Sequence, residues 1–416
     1  MTPAVLALLA LLLAIGLSMT SRVNVGVLAM ALAWAIGVYA AHMKVDAVIA
    51  GFPSGLFLTL AGVTFLFAIA KANGTLDILA RQAARAVLGN AGLLPIVFFL
   101  LAGVLSTVGP GAVLSVALVA PLAMPASGAA GAPNLLTAIM IGTGANAGNM
   151  SPISSVGAMV DGLMVKIGLP GHEWLVWAAN FVAHVLVAAA AYFMFGGPKL
   201  LRAHRSAKEE IVAGAAGRKH WITIGVTVAW MIAAIVWRVN PGLAAFAAGT
   251  LLILLRVADE KDVIPRIPLD IIFIVTGVTM LIGVLETTGG MDLFTGMIAR
   301  VASPATLNAV IAFVTGAIST YSSTSGVVLP AFLPMVPGLV RQTGGGDPLA
   351  VAISINVGSA LVDVSPLSTL GALCVATVID RAEARDLFRK LLVWGLSMIV
   401  VGAVLCGLLA GIVARF

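Results

Sequence analysis

The stretch Gly358-Ser-Ala-Leu-Val-Asp-Val-Ser-Pro-Leu-Ser-Thr-Leu-Gly-Ala372 sets one ionisable side chain, Asp363, among hydroxyls, glycines and a proline inside an apolar run. An acid in such a setting costs roughly 2.5–3.5 kcal/mol on membrane-insertion scales, so it is expected to face a partner or a cavity. Asp363 can hold Na⁺, carry a coupling proton, or cap the half-helix that follows Ser365-Pro366; capping and binding are compatible. A second copy of the stretch runs from Gly142 to Ala158, where Ser151-Pro152-Ile153-Ser154-Ser155 matches Ser365-Pro366-Leu367-Ser368-Thr369 and Asn149 stands in the place of Asp363. Asn146 and Asn149 offer amide oxygens to a cation and amide N–H groups to a carboxylate.

Two more polar clusters flank these breaks, at Ser106 to Ala112 and at Ser319-Thr-Tyr-Ser-Ser-Thr-Ser325. Hydroxyls and free carbonyls at a half-helix C-terminus ligate Na⁺, while half-helix N-termini present N–H groups and positive dipole ends to a carboxylate. On this reading an anionic substrate meets Gly109, Pro110, Gly111, Asn146, Ser154, Ser155, Ser323, Thr324, Ser325, Ser368 and Thr369. The coupling cation, Na⁺ or H⁺, meets Asn149, Ser151, Ser322, Asp363 and Ser365. Small and hydroxylated residues also allow helices to pack closely in lipid, but four such clusters in paired positions favour a site.

Other chemistries lack their parts. There is no His-Glu-x-x-His, no Gly-x-Ser-x-Gly and no P-loop, so proteolysis, acyl transfer and ATP-driven pumping are not expected, and neither is a cofactor. His184 stands alone in an apolar helix with no histidine or carboxylate at i±4 and reads as packing. Lys71 and Glu286 read as snorkelling residues at span ends. Cys374 and Cys406 read as small core residues, since two separated thiols make neither a disulfide framework nor a metal site.

These residues sit in a chain of 416 residues, 61% hydrophobic and 10% charged, with a mean hydropathy of +1.11. That composition, with long apolar runs and no period-2 alternation, predicts an all-α polytopic membrane protein embedded in a lipid bilayer. The net charge of +6 is explained by topology rather than by nucleic-acid binding. The run Ala4 to Met19 reads as a retained first span, because it lacks a basic n-region and an obvious cleavage site.

Spans are predicted at Pro3 to Met19, Val23 to Ala41 and Pro53 to Ala70, followed by an interfacial helix from Gly74 to Leu88. Leu93 to Thr107 and Ala112 to Met124 are two short apolar arms about Val108-Gly109-Pro110-Gly111, which predicts a re-entrant hairpin. A helix broken near Asn146 to Ser151 and a span from Trp174 to Phe195 complete a first repeat, residues 1–196. Residues 197–220 form a polar linker, and the order recurs in 221–416: spans Trp221 to Trp237, Pro241 to Arg256 and Leu269 to Leu285, an interfacial helix Met291 to Val301, a hairpin, a broken helix and Leu387 to Val413. The pairs Thr64/Thr279, Ser106/Ser319 and Ser151/Ser365 keep offsets of 215, 213 and 214. With an odd number of crossings per half, the second repeat is inverted. The positive-inside rule places the N-terminus outside, with about 17 of the 23 Lys and Arg residues inside.

An interfacial helix, a hairpin and a broken helix carrying Ser-Pro-x-Ser, then the same inverted, resemble the ion transporter superfamily, most closely its divalent-anion:sodium symporters and the MatC-type malonate/dicarboxylate carriers. The segment Gly142 to Met164, with Asn-Ala-Gly-Asn-Met-Ser-Pro-Ile-Ser-Ser-Val-Gly, resembles the MatC-type branch in particular. The symporters' Ser-Asn-Thr at each hairpin tip is replaced here by Gly109-Pro110-Gly111-Ala112 and Ser323-Thr324-Ser325-Gly326, which removes a side-chain sodium ligand at the first tip. On this resemblance their additional N-terminal helix is not expected here. The resemblance implies a homodimer with elevator-type transport domains and import of a small dicarboxylate by Na⁺ or H⁺ symport across a bacterial inner membrane. A cation/proton antiporter or anion exporter on the same fold, and a non-transporting membrane sensor, are the other readings.

Overall fold

The computed structural model describes residues 2–20, 23–78, 82, 92–109, 111–202, 216–237, 239–267, 269–320, 323–378 and 380–415. All regular structure among them is helical. The first repeat comprises α1 (Pro3–Thr20), α2 (Val25–Trp34, continued by a π turn Ala35–Ala40), α3 (Val45–Ala50), α4 (Ser54–Ala72), α5 (Leu93–Val108), α6 (Gly111–Ala129), α7 (Asn134–Asn149), α8 (Ser155–Lys166) and α9 (Glu173–Met194). After α10 (Gly197–Arg202) the second repeat follows: α11 (Arg218–Val236), α12 (Pro241–Leu254), α13 (Glu260–Val263), α14 (Leu269–Thr287), α15 (Gly290–Ala299) and α16 (Leu307–Ser319). It closes with α17 (Thr324–Gln342), opened by a π turn, then α18 (Pro348–Leu361), α19 (Thr369–Ala376) and α20 (Arg381–Val413). The short helices α3 and α13 are absent from the sequence reading; each is too brief to show a periodicity.

Local chemistry repeats with the elements. Asn24 caps α2, its Oδ1 accepting from Gly26 N at 2.9 Å, and Asn240 caps α12 in the same way through Leu243 N at 3.0 Å. Each satisfies donors that a helix N-terminus leaves open. In the second repeat α14 turns by 86° into α15 at Gly289, whose φ of +76° suits a residue without a Cβ. α15 covers most of the stretch Met291 to Val301 expected to form the interfacial helix. Its counterpart in the first repeat lies largely outside the described residues, as do Pro110, Ser322 and most of the linker. Lys71 at the end of α4 pairs with Asp77 at 2.8 Å. Both cysteines are free and buried.

Packing divides the helices into two layers. In the first, α2 crosses α14 and α4 crosses α12, so each repeat lends a helix to the other. Glycines set both crossings: a Cβ on Gly26 would fall on the Phe273 carbonyl, one on Gly277 on the Gly26 carbonyl, one on Gly62 on the Gly242 carbonyl and one on Gly242 against Thr59. Gly26 matches Gly242 and Gly62 matches Gly277 in the repeat, so the two crossings are one contact made twice about an internal two-fold axis. Such backbone approach replaces the hydrophobic drive that helices lack in lipid. In the second layer α5 and α6 form one hairpin, α16 and α17 the other, and the broken helices α7/α8 and α18/α19 lie between them, with α9 and α20 alongside. Among the described residues four helices are long and apolar enough to cross a bilayer alone, or five if the bent pair counts as one span.

Candidate functional site

The two breaks are Met150–Ser154 and Val362–Ser368, three to four residues further along than the sequence suggested for the first, because α7 stays helical through Asn146 and Asn149. Ser154 fixes the restart of α8: its Oγ accepts from Gly157 N at 2.8 Å and donates to the carbonyls of Asn149 and Ser151 at 2.6 and 2.8 Å. Asn149 locks the first hairpin tip onto this break, its Oδ1 accepting from Ala112 N at 2.9 Å. At the second break Ser368 Oγ donates to Asp363 Oδ1 at 2.6 Å, and Thr324 and Asn146 also turn their side chains toward that carboxyl. Thr324 ties the second tip inward, donating to the Ser359 carbonyl at 3.2 Å and sharing a hydrogen bond with Ser319.

The repeats meet here. Asn146 Nδ2 donates to the carbonyl of Ala360 at 3.0 Å, and Ala360 is the residue that matches Asn146 in the second repeat. Close packing of α5 on α7 holds the first tip, since a Cβ on Gly144 would fall on the Phe99 carbonyl.

Between the tips and breaks lies a cavity of about 230 Å³, lined by Gly111, Ala112, Asn149, Ser155, Val156, Ser323, Ser325, Gly326, Asp363, Thr369 and Leu370. Leu60 and Thr64 of α4, and Ile272 and Ile274 of α14, close it from the other layer. Gly111, Ser155 and Thr369 are first residues of α6, α8 and α19, while Ser323 precedes α17 as its N-cap. Four helix N-termini therefore end on one cavity. No Lys or Arg lines it among the described residues, and Asp363 is the sole acidic group in its wall. Such an arrangement offers N–H groups and dipole ends to an anion and one carboxylate to a cation.

Of the residues named from sequence, Gly111, Asn149, Ser155, Ser323, Ser325, Asp363 and Thr369 line the cavity. Asn146, Ser151, Ser154, Thr324, Ser365 and Ser368 are buried behind it, where Ser154, Thr324 and Ser368 shape the breaks and tips. Ser151 and Ser365 take matching places, each Oγ accepting from the backbone N–H two residues on, Ile153 and Leu367, at 3.4 and 3.3 Å. Gly109 sits at the tip, and its carbonyl accepts from Ser155 N at 3.3 Å. Thr64 was not singled out as a site residue. Its signal was present, because a threonine recurs at the matching places 64 and 279 of two apolar spans.

Comparison with known proteins gives likenesses of sequence and of fold. Residues 1–149 match the family described as the N-terminus of the dicarboxylate carrier protein MatC, a match that reaches into the segment on which the MatC-type resemblance was drawn. The crystal structure of the YdaH transporter of Alcanivorax borkumensis, described as having an unusual topology, superposes with a TM-score of 0.54 at 13% identity, covering 99% of this chain and 98% of that one. The second is a likeness of fold. No curated protein matches the chain by sequence.

Proposed function

We propose that this integral membrane protein is a secondary transporter that imports a small dicarboxylate, malonate or a C4 acid, by symport with Na⁺ or H⁺. The observation that carries the reading is the convergence of four helix N-termini on a cavity walled by a single carboxylate. Each N-terminus is equivalent to roughly +0.5 charge, so four supply about +2, the complement of a dianion. Asp363 subtracts one, and a cation there restores the balance. At about 230 Å³ the cavity falls below the roughly 300–1,000 Å³ of drug-sized sites, which suits a small solute. Moving a dianion inward against a negative-inside potential costs about 2.3 kcal/mol per charge per 100 mV, so accumulation requires cotransported cations.

A broken symmetry supports an elevator motion. The layer of α2, α4, α12 and α14 meets the site-bearing layer chiefly through α4 on α8 and α14 on the first turns of α17. The counterpart pairings, α14 on α19 and α4 on α6, are at most marginal. Gly326 of the second tip packs on Ile274, near the start of α14. With the N-terminus outside, that is the cytoplasmic end, so the site-bearing layer is displaced inward. Exchange of the two sets of contacts gives the outward state. In this reading the paired scaffolds of a homodimer stay fixed in a bacterial inner membrane.

The test is uptake of labelled malonate and succinate into proteoliposomes under an imposed Na⁺ or proton gradient. Cation-dependent accumulation supports the reading; a protein that neither accumulates nor is thermally stabilised by any carboxylate refutes the substrate. An antiporter on this fold is favoured by Asp363 alone, and it would exchange cations across the membrane with no dicarboxylate present.

A further inference from the structure

Behind the cavity α7, α9 and α18 pack against one another and bury four polar side chains completely: Asn146, Asn180, His184 and Asn356. Hydrogen bonds fix their common level. Asn180 Nδ2 donates to the Asn146 carbonyl at 2.7 Å, and Asn146 Nδ2 to the Ala360 carbonyl at 3.0 Å. His184, one turn along α9 from Asn180, lies beside that same Ala360 carbonyl. Asn356 is one turn before Ala360 on the same face of α18, as Asn180 is one turn before His184 on α9, and the two helices pack together.

The orientation of every group is determined. Each amide nitrogen sits on a backbone carbonyl, with Asn356 Nδ2 on Ala352 at 2.9 Å, and only an N–H can donate there. The three Oδ1 atoms therefore point the other way, and none has a hydrogen-bond partner. His184 Nδ1 lies 2.8 Å from the Asn180 carbonyl, so it carries the proton and leaves Nε2 as a lone pair, also without a partner. The result is four buried acceptors without a hydrogen-bond partner, beside amide nitrogens that each keep one further N–H. One water brings two donors and satisfies half of them. Carbonyl-type oxygens suit a hard cation, and the lack of a carboxylate in the group argues against a divalent one.

We infer that Asn146, Asn180, Asn356 and His184 form a monovalent-cation site, taking Na⁺, next to Asp363, whose carboxyl the Asn146 side chain also faces. As a second coupling site it rests on the symport reading; as a binding site it does not.

The experiment is a NaCl titration of the thermal unfolding midpoint of the purified protein, without dicarboxylate and with choline chloride holding ionic strength constant. Binding to the folded state raises that midpoint by mass action. Asp363→Asn is expected to keep a Na⁺-dependent rise, and adding Asn356→Leu, which loses only a bond within its own helix, is expected to weaken it about tenfold or more. Asn356→Asp, which adds a carboxylate, is expected to tighten it by about as much. A Na⁺ response unchanged by both Asn356 substitutions means ordered water only and overturns the inference, as does its complete loss in Asp363→Asn alone. Dicarboxylate added to the same samples tests the transport reading separately, because its failure to stabilise leaves the Na⁺ result standing.

Discussion

Replacing Asp363 by Asn removes the one charge in the cavity wall while keeping its shape. Two local terms oppose each other in the unliganded protein. The bond from Ser368 Oγ, 2.6 Å long, is charge-assisted and worth about 1.5–3 kcal/mol. Carrying a charged acid at membrane depth costs roughly 2.5–3.5 kcal/mol. They nearly cancel, so the unfolding midpoint of Asp363→Asn should stay close to that of the unaltered protein. Transport should not. Losing one coupled positive charge removes about 2.3 kcal/mol of drive at 100 mV, and at 1.4 kcal/mol per decade that is a roughly fortyfold fall in the steady-state accumulation ratio. The assay is labelled dicarboxylate in proteoliposomes held at a fixed potassium diffusion potential. An amide takes up no coupling proton and brings no charge to balance a bound Na⁺, so the argument is the same for either cation. Accumulation by Asp363→Asn within about threefold of the unaltered protein, with the same cation dependence, would refute the assignment.

Other perturbations test the frame around the site. Gly144→Ala puts a Cβ onto the Phe99 carbonyl, which must push α5 off α7 at a cost of about 1–3 kcal/mol; Gly225→Ala, with nothing within 4 Å, is the neutral control in the same thermal assay. Asp380 caps α20 through the N–H groups of Glu383 and Ala382, which hold its carboxyl below the usual carboxylate range. Its contribution is thus present above the unfolded pKa of about 3.9 and is lost as pH falls through the lower folded value. The gap in midpoint between the unaltered protein and Asp380→Ala should accordingly be open at pH 7 and close in acid; a constant gap contradicts the cap. Thr59 and Val113 match Ile274 and Gly326 in the repeat. If the contacts exchange, Thr59→Cys with Val113→Cys should cross-link as the carrier cycles and arrest transport, and failure to cross-link in an active protein counts against the elevator motion.

What the sequence made legible follows from what repeats. Hairpins, breaks and the place of Asp363 recur at a nearly constant offset, and two copies of a weak signal confirm each other where one does not. The convergence of four helix N-termini was readable as a class, since each break and tip must begin a new helix. Which residues reach the cavity was not, because burial behind the break separates Ser154 and Ser368 from Ser155 and Thr369 by a single position. The group around Asn146 was illegible for a different reason. His184 was judged by its neighbours on its own helix, whereas the carbonyl beside it belongs to Ala360, in the other repeat. Nor does either Asn180 or Asn356 have a polar counterpart: the place that matches Asn356 holds Gly142. Symmetry in the sequence thus marks the frame common to both states, while departures from it, Asp363 against Asn149 and Asn356 against Gly142, mark where charge and ion can be held on one side only. A transporter built of two equal halves has two equivalent states by construction. Only such unequal positions let a bound cation weight one of them, since a ligand shifts an equilibrium by no more than its difference in affinity for the two.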